Sequence, residues 1–65
     1  MAKEQSKLRG IRAEKKISQQ QLAEVIGVSK VTYSKKERGV TTFTLPEAVL
    51  IAQHLGVDIS DIFLS

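Results

Sequence analysis

The strongest constraint on the fold of this chain lies in residues 18–39, SQQQLAEVIGVSKVTYSKKERG. Ser18 can cap a helix through its hydroxyl, and Gln21 stands three residues later, where a reciprocal capping partner belongs. Gly27 is the residue type that takes a left-handed backbone at the end of a helix, and Ser29 is a second capping side chain. The stretch therefore predicts two short helices joined by a tight turn.

Two short helices joined by a glycine turn are typical of a helix-turn-helix, whose second helix enters the major groove of duplex DNA. Leu22, Val25 and Ile26 recur at helical spacing in the first of the two helices, and Ala23 leaves room for the second helix to approach closely. A glycine turn alone is a weak signal, so the surrounding residues have to be considered.

Those residues resemble the helix-turn-helix family of the lambdoid phage repressors and Cro proteins, also called the XRE family. The matching positions in the motif are Ser18, Gln19, Leu22, Ala23, Gly27, Val28, Ser29, Thr32, Ser34, Glu37, Arg38 and Gly39. The flanking positions that match the outer helices of the family are Leu8, Ile11, Arg12, Leu55, Gly56, Val57, Ile62 and Phe63. The resemblance covers nearly the whole chain and is more specific for the fold than for the detailed function.

The expected fold is all-α, a compact five-helix bundle in which residues 1–65 form one helix-turn-helix domain. The expected helices span residues 6–16, 19–26, 30–37, 45–55 and 59–63. In the fourth helix Thr44 is the expected cap, with Glu47 as its capping-box partner, and Leu45 is expected on the buried face. Tyr33 is expected to pack its ring into the core and to leave its hydroxyl at the rim.

Composition restricts the classes of function. A chain of 65 residues buries only about 60% of its unfolded surface and leaves no room for a catalytic cleft, so we expect no enzyme. The absence of cysteine excludes disulfides and thiolate chemistry, and His54 with Asp58 offers too few ligands for a metal. We expect no cofactor. No apolar run is long enough for a membrane span or a signal peptide, which favours a cytoplasmic, nucleoid-associated protein.

Charge is distributed unevenly along the chain. Residues 1–38 contain all ten Lys and Arg and four glutamates, which gives a net charge of +6. Residues 39–65 contain only Glu47, Asp58 and Asp61 as charged groups, which gives −3. A charge-rich helix is often no more than a well-solvated surface, but here the basic residues coincide with the helix-turn-helix. This pattern favours double-stranded DNA as the partner.

The resemblance implies that four residues of the second motif helix read base edges: Lys30, Val31, Ser34 and Lys35. Lysine can donate to guanine, Val31 can contact a thymine methyl, and a serine hydroxyl can pair with several bases. Lys30 and Lys35 could equally contact phosphates and carry no sequence information.

A second set is expected to contact DNA phosphates: Gln19, Thr32, Lys36, Arg38, Thr41 and Thr42. The family places a phosphate-binding residue at the position of Gln19, where free backbone amides assist it, although a glutamine there can simply belong to the capping region. The connection of residues 39–43 has no basic residue, but the hydroxyls of Thr41 and Thr42 can donate hydrogen bonds to phosphate there. The stem of Lys36 can cover apolar surface while its ammonium reaches solvent or phosphate.

The resemblance also implies an ion pair between Arg12 and Glu37, which would tie the first helix to the motif. The alternative is two unrelated surface charges.

The apolar C-terminal residues suggest a partner. Val57, Ile59, Ile62, Phe63 and Leu64 are more apolar surface than one short helix can hide in so small a domain. The resemblance implies a homodimer contact there and two recognition helices about 34 Å apart on an inverted repeat. The same residues could instead complete the monomer core.

The expected function is therefore a transcriptional regulator, a repressor of phage or mobile-element type. The alternative is a protein-interaction module, antitoxin-like or anti-repressor, which binds another regulatory protein through the apolar C-terminal residues.

Overall fold

A computed structural model of the chain describes residues 5–63, and this part is all-helical, as expected. Its helices are α1 Ser6–Glu14, α2 Gln19–Ile26, α3 Lys30–Glu37, α4 Leu45–Leu55 and α5 Ile59–Phe63. The bounds of the last four agree with those expected from the sequence. In the described part, no helix combines the length and the apolar character that a bilayer span requires.

The first helix ends at Glu14, two residues before the expected end at residue 16. Lys16 adopts a φ of 59°, in the left-handed region, and its N–H donates to the carbonyl of Ala13. A left-handed L residue cannot continue a right-handed helix. The turn brings the N–H of Ile17 to the carbonyl of Arg12, and α2 then begins.

Local capping fixes the ends of α2 and α4. Ser18 and Gln21 form a complete capping box at the start of α2, and Thr44 and Glu47 form another at the start of α4. Both helices end at a glycine in the left-handed conformation, as at Gly27, where φ is 74°. Because a cap depends on neighbours in the sequence, these features were predictable from the sequence.

Each of the five helices contributes residues to the core. α2 packs on α3 and α4, whereas α1 packs on α5 and α3. The buried residues of the core cluster are Leu8, Leu22, Ala23, Tyr33, Ile51, Ala52, Leu55 and Ile62. This arrangement holds α3 by one face only and leaves its other face at the surface.

Leu45 is not buried as expected. It is 70% exposed, because it lies in the first turn of α4 and borders an open groove instead of a packed neighbour. The other expected residues of this stripe, Ala48, Ile51, Ala52 and Leu55, are buried.

Two glycines allow a matched test of backbone conformation, because a Cβ added at Gly10 or Gly27 would meet no atom within 4 Å. Gly10 lies inside α1, so Gly10→Ala is expected to stabilise the protein by about 0.5–1 kcal/mol. Gly27 has a positive φ, so Gly27→Ala is expected to destabilise it by about 1–2 kcal/mol. Urea unfolding of both variants measures this, and equal effects would contradict the conformational explanation.

Candidate nucleic-acid interface

The helix α3 has a buried face and an exposed face. Tyr33 and Glu37, one turn apart, are buried against the core. Lys30, Val31 and Lys35 are exposed on the other side, and Val31 has 65% of its surface accessible. An apolar side chain such as Val31 gains nothing from exposure to water, but between two lysines it can contact a base in the major groove.

Five side chains line a surface groove of about 330 Å³ at this exposed face: Gln19, Lys30, Val31, Ser34 and Arg38. We call it the recognition groove. It brings together three of the four residues expected to read bases with two of those expected to contact phosphate. Lys35 and Thr32 are exposed but do not line it.

The basic side chains beside the groove have no anionic partner in the part of the chain that the structure describes. Within residues 5–63, neither Lys30, Lys35 nor Arg38 forms a side-chain hydrogen bond or ion pair. Their charges are therefore uncompensated by nearby carboxylates. Such a surface attracts polyanions and releases counterions when it binds one.

The buried carboxylate of Glu37 anchors the other side of α3. Arg12 donates to both of its oxygens, from Nε to Oε2 over 2.9 Å and from Nη2 to Oε1 over 3.1 Å. Gln19 Nε2 donates to Oε1 over 3.0 Å, and the Tyr33 hydroxyl donates to Oε2 over 2.8 Å. Residues of α1, α2 and α3 thus meet at one side chain. The structure places Arg12 and Glu37 in the contact that the resemblance implied.

These contacts set the charge state of the cluster. Burial raises the pKa of Glu37, but the hydrogen bonds from Arg12, Gln19 and Tyr33 outweigh it, so the pKa lies below its ordinary value. Burial and the hydrogen bond to Glu37 raise the pKa of Tyr33. The cluster therefore holds an ionised carboxylate and a neutral phenol.

The expectation that the Tyr33 hydroxyl lies at the rim is wrong. Tyr33 is 0% exposed, and its hydroxyl is directed inward to Glu37. The ring packs edge-on against Phe43, with centroids 5.7 Å apart, and Phe43 packs in the same way against Phe63 at 5.1 Å. A buried phenol needs a hydrogen-bond acceptor, and here the carboxylate provides it.

Lys36 is not placed as a phosphate contact. Its ammonium pairs with Glu47 Oε1 at 3.1 Å and donates to the carbonyl of Thr42 at 3.1 Å, and its side chain is 12% exposed. It follows Ser34 by two residues, about 200° around the helix, and so points away from the recognition groove. Lys36 instead holds the connection between α3 and α4.

The threonines expected to contact phosphate lie at the surface. Thr41 and Thr42 are exposed in the connection that follows α3. Thr32 is exposed in the first turn of α3, and its hydroxyl oxygen accepts from Ser29 Oγ over 3.0 Å. Each hydroxyl remains able to donate to a ligand.

The residues expected at the dimer interface differ in how far they are buried in the single chain. Ile62 is 1% exposed, so it belongs to the core of its own chain and is withdrawn from the expected interface. Val57, Ile59 and Phe63 pack against the core and stay partly exposed. Leu64 lies outside the described residues.

A second groove, of about 450 Å³, lies between α4, α5 and the connection before α4, and we call it the α4–α5 groove. Its lining residues are Gln5, Thr42, Phe43, Thr44, Leu45, Ala48, Ile59, Ser60 and Phe63. It therefore includes two of the expected dimer residues, Ile59 and Phe63, together with the exposed Leu45.

Sequence reasoning missed two contacts of the motif. The Gln19–Glu37 hydrogen bond joins residues 18 positions apart, and the Lys36–Glu47 pair joins different helices. Neither follows a local spacing rule. The available signal was Lys36 itself, because a lysine whose stem covers apolar surface needs a partner or solvent for its ammonium.

Comparisons with known proteins agree with this geometry. A family model described as helix-turn-helix matches residues 8–62. The clp gene regulator ClgR from Corynebacterium glutamicum is similar in structure, with a TM-score of 0.75 and 30% sequence identity over 86% of this chain and 73% of that one. The restriction-modification controller protein C.AhdI from Aeromonas hydrophila has a TM-score of 0.77 and 28% identity over 88% of this chain and 86% of that one. No curated protein sequence matches the chain.

The fold and the exposed basic helix define a DNA-binding protein of the helix-turn-helix class. The chain belongs to the XRE-type helix-turn-helix family and is a transcriptional regulator. The relatives are regulators and not enzymes.

Arg12 offers a test of the buried cluster. Arg12→Ala leaves the Glu37 carboxylate buried without its cation, so we expect a loss of about 3–5 kcal/mol in the free energy of unfolding. Arg38→Ala removes an arginine that has no partner among residues 5–63 and is expected to change stability by less than about 0.5 kcal/mol. Thermal and urea unfolding of both variants measure the difference. An Arg12→Ala protein as stable as the wild type would show that the ion pair does not hold the fold.

Tyr33→Phe tests the hydrogen bond to the ionised carboxylate through its pH dependence. At neutral pH we expect a loss of about 1.5–3 kcal/mol, since the bond is to a charged group. Because the pKa of Glu37 is lowered in the folded protein, its ionised carboxylate contributes its full stabilisation of the fold above the ordinary carboxyl pKa. That contribution is lost as the pH falls through the pKa of Glu37 in the folded state. The difference between wild type and variant should therefore shrink in acid. A difference independent of pH, from urea unfolding at several pH values, would assign the loss to packing.

Proposed function

We propose that the chain represses transcription by binding an inverted-repeat operator as a homodimer. The observation that carries the proposal is the recognition groove, which the exposed Lys30 and Val31 and the half-buried Ser34 line together with Gln19 and Arg38. The groove combines side chains that can contact base edges with flanking side chains that can donate hydrogen bonds to phosphates. Binding in the major groove requires both kinds of contact.

Each residue has a proposed role that follows from its chemistry. Val31 contacts a thymine methyl, Ser34 hydrogen-bonds a base edge, and Lys30 donates to guanine O6 or N7. Lys35 and Arg38, at the border of the exposed face, neutralise phosphates. Supporting phosphate contacts come from Gln19, Thr32, Thr41 and Thr42.

The α4–α5 groove is the proposed dimer surface. Ile59, Phe63 and Leu45 give it an apolar lining, and Val57 extends the proposed contact. Residues 45–63 contain Glu47, Asp58 and Asp61 and no lysine or arginine, so this segment is unsuited to phosphate and suited to a protein contact. A two-fold axis there would present two recognition helices to half-sites about 34 Å apart.

Repression is proposed as the outcome of occupancy. The two similar structures are a clp gene regulator and a restriction-modification controller, which supports control of gene expression. A dimer that covers a promoter excludes polymerase from it. In transcription in vitro from a promoter that overlaps the operator, repression requires transcript levels to fall as protein is added, and a rise would identify an activator.

Selection from a random duplex pool at near-physiological salt tests specific binding. We expect an enriched inverted repeat, and we expect Val31→Ala and Ser34→Ala each to relax the sequence preference at one position per half-site, by about 1–3 kcal/mol of discrimination. Val40→Ala is the matched control, because Val40 is exposed in the connection after α3 and not in the groove.

Three other outcomes would count against the proposal. Enrichment of a single, unrepeated half-site would contradict the homodimer. An unchanged preference in the Val31 and Ser34 variants would contradict their role in readout. If no sequence is enriched, and binding has no steep salt dependence, the protein-interaction alternative is favoured.

A further inference from the structure

Gln19 belongs both to the buried cluster and to the recognition groove. Its amide nitrogen donates to Glu37 Oε1 over 3.0 Å, and its side chain lines the groove with Arg38. An amide group carries two N–H donors and one carbonyl oxygen. One donor is used by Glu37, so a second donor remains for a ligand.

The charge of Glu37 determines which end of the amide it binds. An ionised carboxylate only accepts hydrogen bonds, so the Gln19 nitrogen and not its oxygen must face Glu37. The lowered pKa of Glu37 keeps it ionised, and Arg12 compensates its charge, which limits its repulsion of a nearby phosphate. A flipped Gln19 amide would place two acceptors against each other.

Glu37 is itself held in position, because it is buried and its two oxygens accept four hydrogen bonds. A free glutamine loses up to about 1.5–2 kcal/mol of rotamer freedom when a ligand fixes it. A glutamine already held by a fixed partner loses less on binding.

We infer that Glu37 is a positioning residue for DNA binding, which orients the Gln19 amide so that its second N–H donates to a phosphate beside the recognition groove. The inference rests on the proposed binding mode. In this binding mode Glu37 is buried and does not contact DNA. Its carboxylate nevertheless affects DNA affinity, and this effect is separate from its effect on folding.

A double-mutant cycle on the selected operator tests this, with Gln19→Ala, Glu37→Gln and the double variant. All are compared at a temperature where circular dichroism shows each to be folded. We expect each single variant to weaken binding by about tenfold, as for a hydrogen bond to a charged group. We expect the double variant to be no weaker than either single one. A double variant weakened by the product of the two effects would overturn the inference.

Two controls separate positioning from folding. Gln20→Ala removes the neighbouring glutamine, whose amide donates to Glu24 on the exposed face of α2, and should leave affinity unchanged. Tyr33→Phe weakens the cluster at the other carboxylate oxygen, so its effect on affinity should be additive with Gln19→Ala. Non-additivity in this second cycle would show that the coupling reports stability alone, which would overturn the inference.

A scan of the operator with neutral methylphosphonates gives a test that does not depend on the folding of a Glu37 variant. At one phosphate per half-site, the replacement should weaken binding by the wild-type protein. The same replacement should leave binding by Gln19→Ala unchanged. If wild type and Gln19→Ala respond alike at every phosphate, the inference fails. The wild-type protein would in that case still select an operator from the random pool. Failure of this inference is therefore distinguishable from failure of the proposed function.

Discussion

The structure depends on the ion pair between Arg12 and the buried Glu37 carboxylate. A buried carboxylate is costly unless its oxygens find donors, and here α1 supplies two, while α2 and α3 supply one each. The ion pair ties α3 to α1, and the Gln19–Glu37 hydrogen bond ties α3 to α2, so the cluster as a whole specifies the orientation of α3.

The sequence predicted the local structure of this chain well and its long-range contacts less well. Caps at Ser18 and Thr44, and the glycine at position 27, act through near neighbours, so helix ends could be placed almost to the residue. Burial depends on what packs against a residue from elsewhere in the chain. For that reason Leu45 was expected inside and is exposed, whereas Ile62 was expected at an interface and is in the core. The Arg12–Glu37 contact was predictable only through the family resemblance.

A row of aromatic contacts runs from the buried cluster to α5. Tyr33, Phe43 and Phe63 form a row of edge-on contacts from α3, through the connection, to α5. Lys36 lies over the central ring, with its ammonium 5.9 Å from the centroid. The row therefore joins the buried face of α3 to the lining of the α4–α5 groove.

The division of α3 into two faces has a consequence for how proteins of this kind diverge. Tyr33 and Glu37 hold the helix in place, whereas the side chains of Lys30, Val31 and Lys35 form no hydrogen bond or ion pair within residues 5–63. Substitutions on the exposed face are thus nearly free of structural cost. After duplication, a copy of such a gene could acquire a new target in a few single steps, each of which leaves a folded protein, and the scaffold would stay recognisable long after the targets had separated.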